Sequence, residues 1–275
     1  MMKVKTLAAA ILTLGLAIAI PQTHASHADG TNTSDLVHKA DLIFEGKVVD
    51  VDYRTSDILQ ADDVAMPHTY VTYEITRNFK GRSNQDKLIT LRFRGGPDDA
   101  GNTLIIPGVP LFQVGNQDIV FVRGNGVEIS PVVGGNFGRF RISKDAVHSD
   151  AWQEIWLRSN GQLDQGNFNE DKKSVTLRIG IKEFTFETET KAEWTPPADA
   201  TKLTPVQFRK FLSDSVNQHY TPQALSSLKP VKSVQVHEKF AVGKAKPAAA
   251  PAVPPVLKKL DLEAPHHVEM TIRRD

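Results

Sequence analysis

The sequence has no cysteine. It therefore has no disulfide framework and no thiol nucleophile, and its stability rests on core packing, which 275 residues can supply. Charge of one sign is missing too: Lys and Arg number 33 against 32 Asp and Glu, a net charge of +1. No global field draws such a chain to nucleic acid or to an anionic bilayer. Beyond the N-terminus no apolar run is long enough to span a membrane. Catalytic signatures are also absent. There is no H-E-x-x-H, no phosphate-binding P-loop and no G-x-S-x-G, so no motif nominates a nucleophile. His38, His68, His148, His219 and His237 are scattered without the tight spacing of metal ligands, and His266-His267 lie near the C-terminus. Asp29 to Asp35 is rich in side-chain oxygens but lacks the glycine placement and terminal glutamate of a calcium loop. Asp50 and Asp52 flank Val51, so they share a strand face, suited either to solvent or to a paired-acid or calcium role. The sequence thus names no catalytic residue, no metal site and no cofactor.

What is there begins with a targeting segment. Lys3 and Lys5 precede an unbroken run of apolar, small and Thr residues from Leu7 to Ile20, and Pro21 ends it. Thr23-His24-Ala25 gives an exit of the A-x-A kind, so residues 1–25 read as a secretory signal peptide, with Ala28 as a second cleavage point. Removing Lys3 and Lys5 leaves 31 basic against 32 acidic side chains. The short signal and the lack of cysteine suit a bacterial periplasm or exterior, with no transmembrane segment in the mature chain.

The densest apolar alternation runs from Ile105 to Ile142, with Gly, Pro and Asn at its breaks. Ile119 to Val122 is apolar at four consecutive positions, the pattern of a strand buried on both faces. Gly124-Asn125-Gly126 predicts a hairpin leading to a strand over Val127 to Val133. Phe137 to Ile142 alternates with period two, Phe140 and Ile142 on one face and Arg139 and Arg141 on the other. Upstream, Ser34 to Asp41 predicts one or two helical turns, and strands are expected over Leu42–Tyr53, Thr69–Phe79 and Lys87–Arg94. Gly46 inside the first of these marks a bulge or sharp coil. These strands, with their glycine-marked bends, imply an antiparallel barrel or sandwich.

The runs ADLIFEGKVVDVDYR, YVTYEITRNFKG, ITLRFRGG, PLFQVGNQDIVFVRGNG and ISPVVGGNFGRFRI, covering about residues 34–142, resemble a type of uncharacterised secreted bacterial protein. More loosely, their strand order is similar to the oligonucleotide/oligosaccharide-binding (OB) type barrel of netrin-like modules and tissue metalloproteinase inhibitors. The resemblance implies an OB-type barrel. The inhibitors act through an N-terminal cysteine and disulfides, which this chain lacks, so no functional residue transfers.

The second half is more mixed. Trp152, Ile155 and Trp156 fit helical spacing, while Ile155 and Leu157 alternate with Trp152, Glu154 and Trp156 as a strand would. Ser174–Ile181 and Glu183–Glu189 predict a hairpin. Thr204 to His219 predicts a helix, with Thr204 as N-cap, Pro205 at the first position and Gln207 closing a capping box. Thr221-Pro222 starts a shorter helix. AVGKAKPAAAPAVPP, residues 241–255, has the composition of an extended tail.

The expected architecture is mainly β with one or two helices. It comprises a signal peptide (1–25), an OB-type β-barrel (26–150), a β-hairpin and amphipathic helix region (151–230) and an Ala/Pro-rich, largely disordered tail (231–275). The candidate binding residues are Arg92, Arg94, Arg139 and Arg141. Each pair alternates on one strand face, and if the two strands were neighbours the four would form a basic patch for an anionic glycan or a partner carboxylate; the same pattern also fits charges that protect a sheet edge. The expected function is an exported, non-enzymatic binding module of the bacterial envelope, with an envelope protein or a glycan as partner and no nucleic acid. A hydrolase, or a hydrolase accessory acting on envelope polymers, is the alternative.

Overall fold

The computed structural model describes residues 31–168, 174–180, 182–187 and 194–243. The expected signal peptide lies outside them, as do residue 244 onward, including His266 and His267.

Strand β1 (Thr31–Asn32) runs straight into helix α1 (Thr33–Lys39), which is capped by Asn32, whose side chain accepts from Ser34 N. A meander follows of β2 (Leu42–Thr55), β3 (Pro67–Lys80) and β4 (Leu88–Arg94), then a minimal pair, β5 (Gly96–Pro97) with β6 (Thr103–Leu104). Next come β7 (Gln117–Val122), β8 (Arg139–Ile142), β9 (Val147–His148), β10 (Gln153–Arg158) and β11 (Gln162–Phe168). The hairpin β12 (Ser174–Ile179) and β13 (Lys182–Glu187) stands apart, and β14 (Ala200–Lys202) precedes α2 (Pro205–His219) and α3 (Pro222–Ser227). The capping box at Thr204 and Gln207 forms as expected.

The fold is mainly β with few helices, as expected. Ten strands make one antiparallel sheet in the order β1-β11-β10-β9-β8-β7-β2-β3-β4, with β14 beside β10. That path does not close, so the expected barrel is corrected to an open sheet. The outer edge of β4 is satisfied by loops instead of a closing strand. Thr90 N donates to Ser233 Oγ (2.8 Å), Val234 N to Thr90 O (3.1 Å), Arg92 N to Asn125 Oδ1 (3.1 Å) and Arg94 N to Ile129 O (2.8 Å). The strand expected over Val127–Val133 is absent. Val127 N and Glu128 N both turn back to Gly124 O, leaving Val127 86% exposed, and only Val132 bridges to Val122.

Two cores lie on opposite faces of the sheet. Ile43, Ile119, Phe121, Phe140, Ile155 and Leu163 pack under Leu36 and Val37 of α1 and Phe208, Leu212 and Val216 of α2. On the other face Phe44, Val48, Tyr73, Leu91, Phe93 and Val120 enclose Phe112 and Val132. Strands β2 and β7 are buried on both sides, which is why Ile119 to Val122 reads as one apolar run. Gly46 sits at the expected bulge: register shifts between Glu45 and Gly46, where a Cβ would meet Glu74 O at 2.8 Å.

The boundary expected near residue 150 does not divide the structure, because β8, β9 and β10 are consecutive strands of one sheet and the helix-side core draws on both halves. The tail expected from 231 begins as a docked strap. Residues 231–243 lie along β4 and reach the loop after β2, where Asp57 N donates to Phe240 O and Val64 N to Val242 O, each at 2.9 Å. Among the described residues no helix is long and apolar enough to cross a membrane.

Candidate binding face

On β8 the alternation sends Phe140 to the helix side and Arg139 and Arg141 to the other. That other face is covered, not open. Arg139 is fully buried, and its Nε and Nη2 reach Asp118 Oδ2 at 3.0 and 2.9 Å while the Tyr73 hydroxyl donates to the same oxygen at 2.8 Å. Arg139 Nη1 donates to Asp150 Oδ1 (2.9 Å) and Leu111 O (2.7 Å), and its guanidinium lies 4.3 Å from the Phe112 ring centroid. Arg141 is 5% exposed and donates to Asp150 O (2.9 Å) and Asn116 Oδ1 (3.1 Å). Two cations and two carboxylates close on themselves.

The titration shifts follow from this enclosure. Burial alone would lower the pKa of Arg139, but the Asp118 and Asp150 carboxylates outweigh it and leave the pKa raised. Burial, then the Arg139 charge, lower that of Arg141. Burial, then the Asp118 charge, push the Tyr73 phenol well above its ordinary value.

The reading of Arg139 and Arg141 as cations on a shared basic patch is therefore corrected: both are consumed internally. Nor is β8 a neighbour of β4, since β3, β2 and β7 lie between them. Arg92 is half-buried, with its guanidinium 4.0 Å from the Phe240 ring centroid and Nη2 on Gly126 O. Arg94 lines a shallow cleft with Tyr53, Thr69, Ile106, Leu111 and Phe112, and its Nε is buried without a partner. The structure brings Arg139 together with Arg141 and keeps the four from forming one surface. Asp50 and Asp52 are exposed, and among the described residues no group of three or more His, Asp or Glu side chains is placed to hold a metal.

What the same sheet face does build lies further along it. Cross-strand partners run Asp118, Arg141, His148, Glu154 across β7 to β10. On β10, Ile155 and Leu157 pack toward the helices, so Glu154, Trp156 and Arg158 point the opposite way. The chain has three tryptophans, and all three are half-buried here. Trp152 turns the chain between β9 and β10 at φ +64°, with Arg141 4.8 Å beneath its ring and His148 5.7 Å beside it. Trp156 lies over Gly166, where a Cβ would meet Trp156 Nε1 at 2.7 Å. Trp194 sits 5.5 Å from Trp156 at 56°, pinned by its N–H to Asn167 Oδ1 (2.8 Å) and by Asn167 Nδ2 to its carbonyl (3.2 Å). The surrounding charges are paired: Lys202 with Glu154, and Arg158 with Asp164 at 2.6 Å.

The sequence held a signal for this face, because Trp152, Glu154 and Trp156 alternate and tryptophan is scarce. Nothing in the sequence indicated that Trp194 would return to them.

A separate cluster joins the two main helices. Ser34 Oγ and His219 Nε2 are 3.0 Å apart, and the His38 and His219 rings are 4.4 Å apart.

No protein-family model, curated protein or solved structure matches this chain.

Proposed function

We propose that this chain is an exported, non-enzymatic binding module of the bacterial envelope that meets its partner through the tryptophan face of β9, β10 and β11. The reading rests on one observation: away from the helices, half-buried Trp156 and Trp194 lie 5.5 Å apart, and half-buried Trp152, on the turn before β10, stacks over Arg141 of the same sheet face. Tryptophan in that position offers a large rigid contact area with little side-chain entropy to lose. Supporting it, residues 1–25 have the form of a secretory signal.

The test uses the mature chain and washed cell-envelope fragments. Wild type is expected to be retained, and Trp194→Ala and Trp152→Gly to be released. Equal retention of all three, or of none, overturns the reading. Export is tested by fractionating cells that express the chain with and without residues 1–25; an equal periplasmic yield refutes it. The hydrolase alternative has the Ser34–His219 contact in its favour. It predicts polymer degradation abolished by Ser34→Ala, whereas a binding module leaves the polymer intact.

A further inference from the structure

We propose that Asn125-Gly126 is a self-modification site: the asparagine deamidates when the strap of residues 231–243 lifts from β4, and the product keeps the strap from docking again. The site lies by β4, at the opposite end of the sheet from β10 and β11, so it is separate from the tryptophan face.

In an Asn-Gly pair the glycine has no side chain to shield its backbone nitrogen, and that nitrogen can attack the asparagine Cγ. A bond forms between Gly126 N and Asn125 Cγ. The bond from Cγ to Nδ2 breaks, and ammonia leaves with the proton of the Gly126 N–H. Water then opens the resulting succinimide at either carbonyl, giving aspartate or isoaspartate. The sequence needs water alone, with no oxidant or cofactor.

The dipeptide occurs twice, at 125–126 and 160–161, and the structure holds the two copies differently. Asn160 is exposed on the turn between β10 and β11, with its Oδ1 accepting from nearby Gln162 N (3.0 Å). Asn125 is half-buried and fastened at both ends of its amide. Its Oδ1 accepts from Arg92 N (3.1 Å), and its Nδ2 donates to Thr90 O (2.9 Å) and Lys232 O (2.8 Å). Arg92 and Thr90 belong to β4 and Lys232 to the strap, so one amide ties a loop, an edge strand and the strap together. The strap also lies against the attacking residue: a Cβ on Gly126 would meet Val234 Cγ2 at 3.1 Å. Because Nδ2 departs as ammonia, both of its bonds must break before the reaction completes. The docked strap therefore restrains the reaction. Next to Lys232 it is held by Thr90 N donating to Ser233 Oγ (2.8 Å) and by Ser233 N donating to Asn84 Oδ1 (2.8 Å).

Either product reverses the contact. An ionised carboxylate only accepts hydrogen bonds. It keeps the bond from Arg92 N, but it sets a negative oxygen against the Thr90 and Lys232 carbonyls where two N–H donors had been. Isoaspartate also routes the backbone through the side chain and displaces Gly126, whose carbonyl accepts from Arg92 Nη2. Ammonia is lost to solvent, so an opening that reacts is recorded permanently in the chain.

The measurement is peptide mapping by mass spectrometry of the mature chain, incubated at mildly alkaline pH beside the double variant Asn84→Ala/Ser233→Ala. The variant removes the two side-chain anchors of the strap next to Lys232. Asn125 is expected to convert about tenfold or more faster in the variant, the factor that two lost hydrogen bonds give to local opening. Asn160 is expected to keep its wild-type rate. Ser233→Ala alone repeats the comparison with a smaller change, so a variant that fails to fold does not decide the outcome. The consequence is read in Asn125→Asp, where trypsin is expected to cut after Lys232 and Lys239 about tenfold or more faster than in wild type. Equal conversion of Asn125 in wild type and variants overturns the proposal. So does acceleration of Asn160 alongside Asn125 in both variants, which would make global unfolding the gate. A strap as resistant to trypsin in Asn125→Asp as in wild type overturns the effect assigned to the product.

Discussion

The tripeptide Arg-Phe-Arg occurs twice, at 92–94 on β4 and at 139–141 on β8. In both copies the phenylalanine is core: Phe93 is fully buried and Phe140 is 3% exposed. The arginines diverge. On β4, an edge strand, Arg92 lies on Phe240 of the strap and Arg94 beside a shallow cleft. On β8, well inside the sheet, the loop carrying Leu111 and Phe112 covers the second face, and the guanidinia are taken up by Asp118 and Asp150. Period-two alternation fixes which side chains share a face. It does not say what lies over that face, and that is decided by chain far away in sequence.

The sharpest break of the comparison is at Arg139. Arg139→Met strands the Asp118 carboxylate in a dry core and is expected to cost about 3–5 kcal/mol. Adding Asp118→Asn, which removes the orphaned charge and still accepts from Tyr73, should recover much of the loss. Urea unfolding of the two variants checks this; a single variant within 1 kcal/mol of wild type would mean that the network is not closed. Phe93→Ala and Phe140→Ala serve as the control, since the phenyls are equivalent in burial where the arginines are not. Each should lose about 3–5 kcal/mol, and a large gap between them would show that the two cores differ in more than their charges.

Much of the fold was legible because its signals are local. Ile119 to Val122 announces burial on both faces, Gly46 its bulge, and Thr204, Pro205 and Gln207 a capped helix, and all three formed. The misses share one cause, dependence on distant chain. Val127 to Val133 has strand composition, but Asn125 is used to cap β4, donating to Thr90 O and Lys232 O, and the segment turns instead of pairing. Val231 to Gly243 leads into a tail-like composition, yet Ser233 and Phe240 are anchored on β4 and on the β2–β3 loop. The candidate face needed Trp194, which lies 38 residues beyond Trp156 in sequence.

A buried histidine is the cross-strand partner of an arginine in each copy, His68 of Arg94 and His148 of Arg141. His68 is 4% exposed, its ring 4.8 Å from Phe240. Burial, assisted by the Arg92 and Arg94 charges, lowers its pKa from 6.5 to about 4. A histidine depressed on folding is protonated first in the unfolded chain. Its contribution is therefore full above about pH 6.5 and is lost as pH falls toward 4, up to about 3 kcal/mol. Stability measured across that window should decline with acid, and His68→Gln should flatten the decline; an unchanged slope would clear His68 of the effect. Arg92→Ala is a smaller change. It removes the cation over Phe240 and the bond to Gly126 O, about 1–2 kcal/mol in all, and a thermal midpoint that does not move would mean that the strap holds without it.

The smallest expected effect is the most informative about the repeat. Arg94 makes no ion pair among the described residues, and its Nε is already buried without a partner. Arg94→Met keeps the aliphatic stem and removes an unsatisfied donor, so stability at neutral pH should hold within about 0.5 kcal/mol or rise. The same substitution made at Arg139 is expected to be among the most damaging single changes in the sheet. Arg94→Met also withdraws one of the two cations that disfavour protonated His68, so the acid decline should become shallower as the His68 pKa moves back toward 6.5. A loss at neutral pH comparable to that of Arg139→Met would show that Arg94, too, is held by an acceptor. In that case the two copies of the tripeptide would differ in their partners rather than in their exposure.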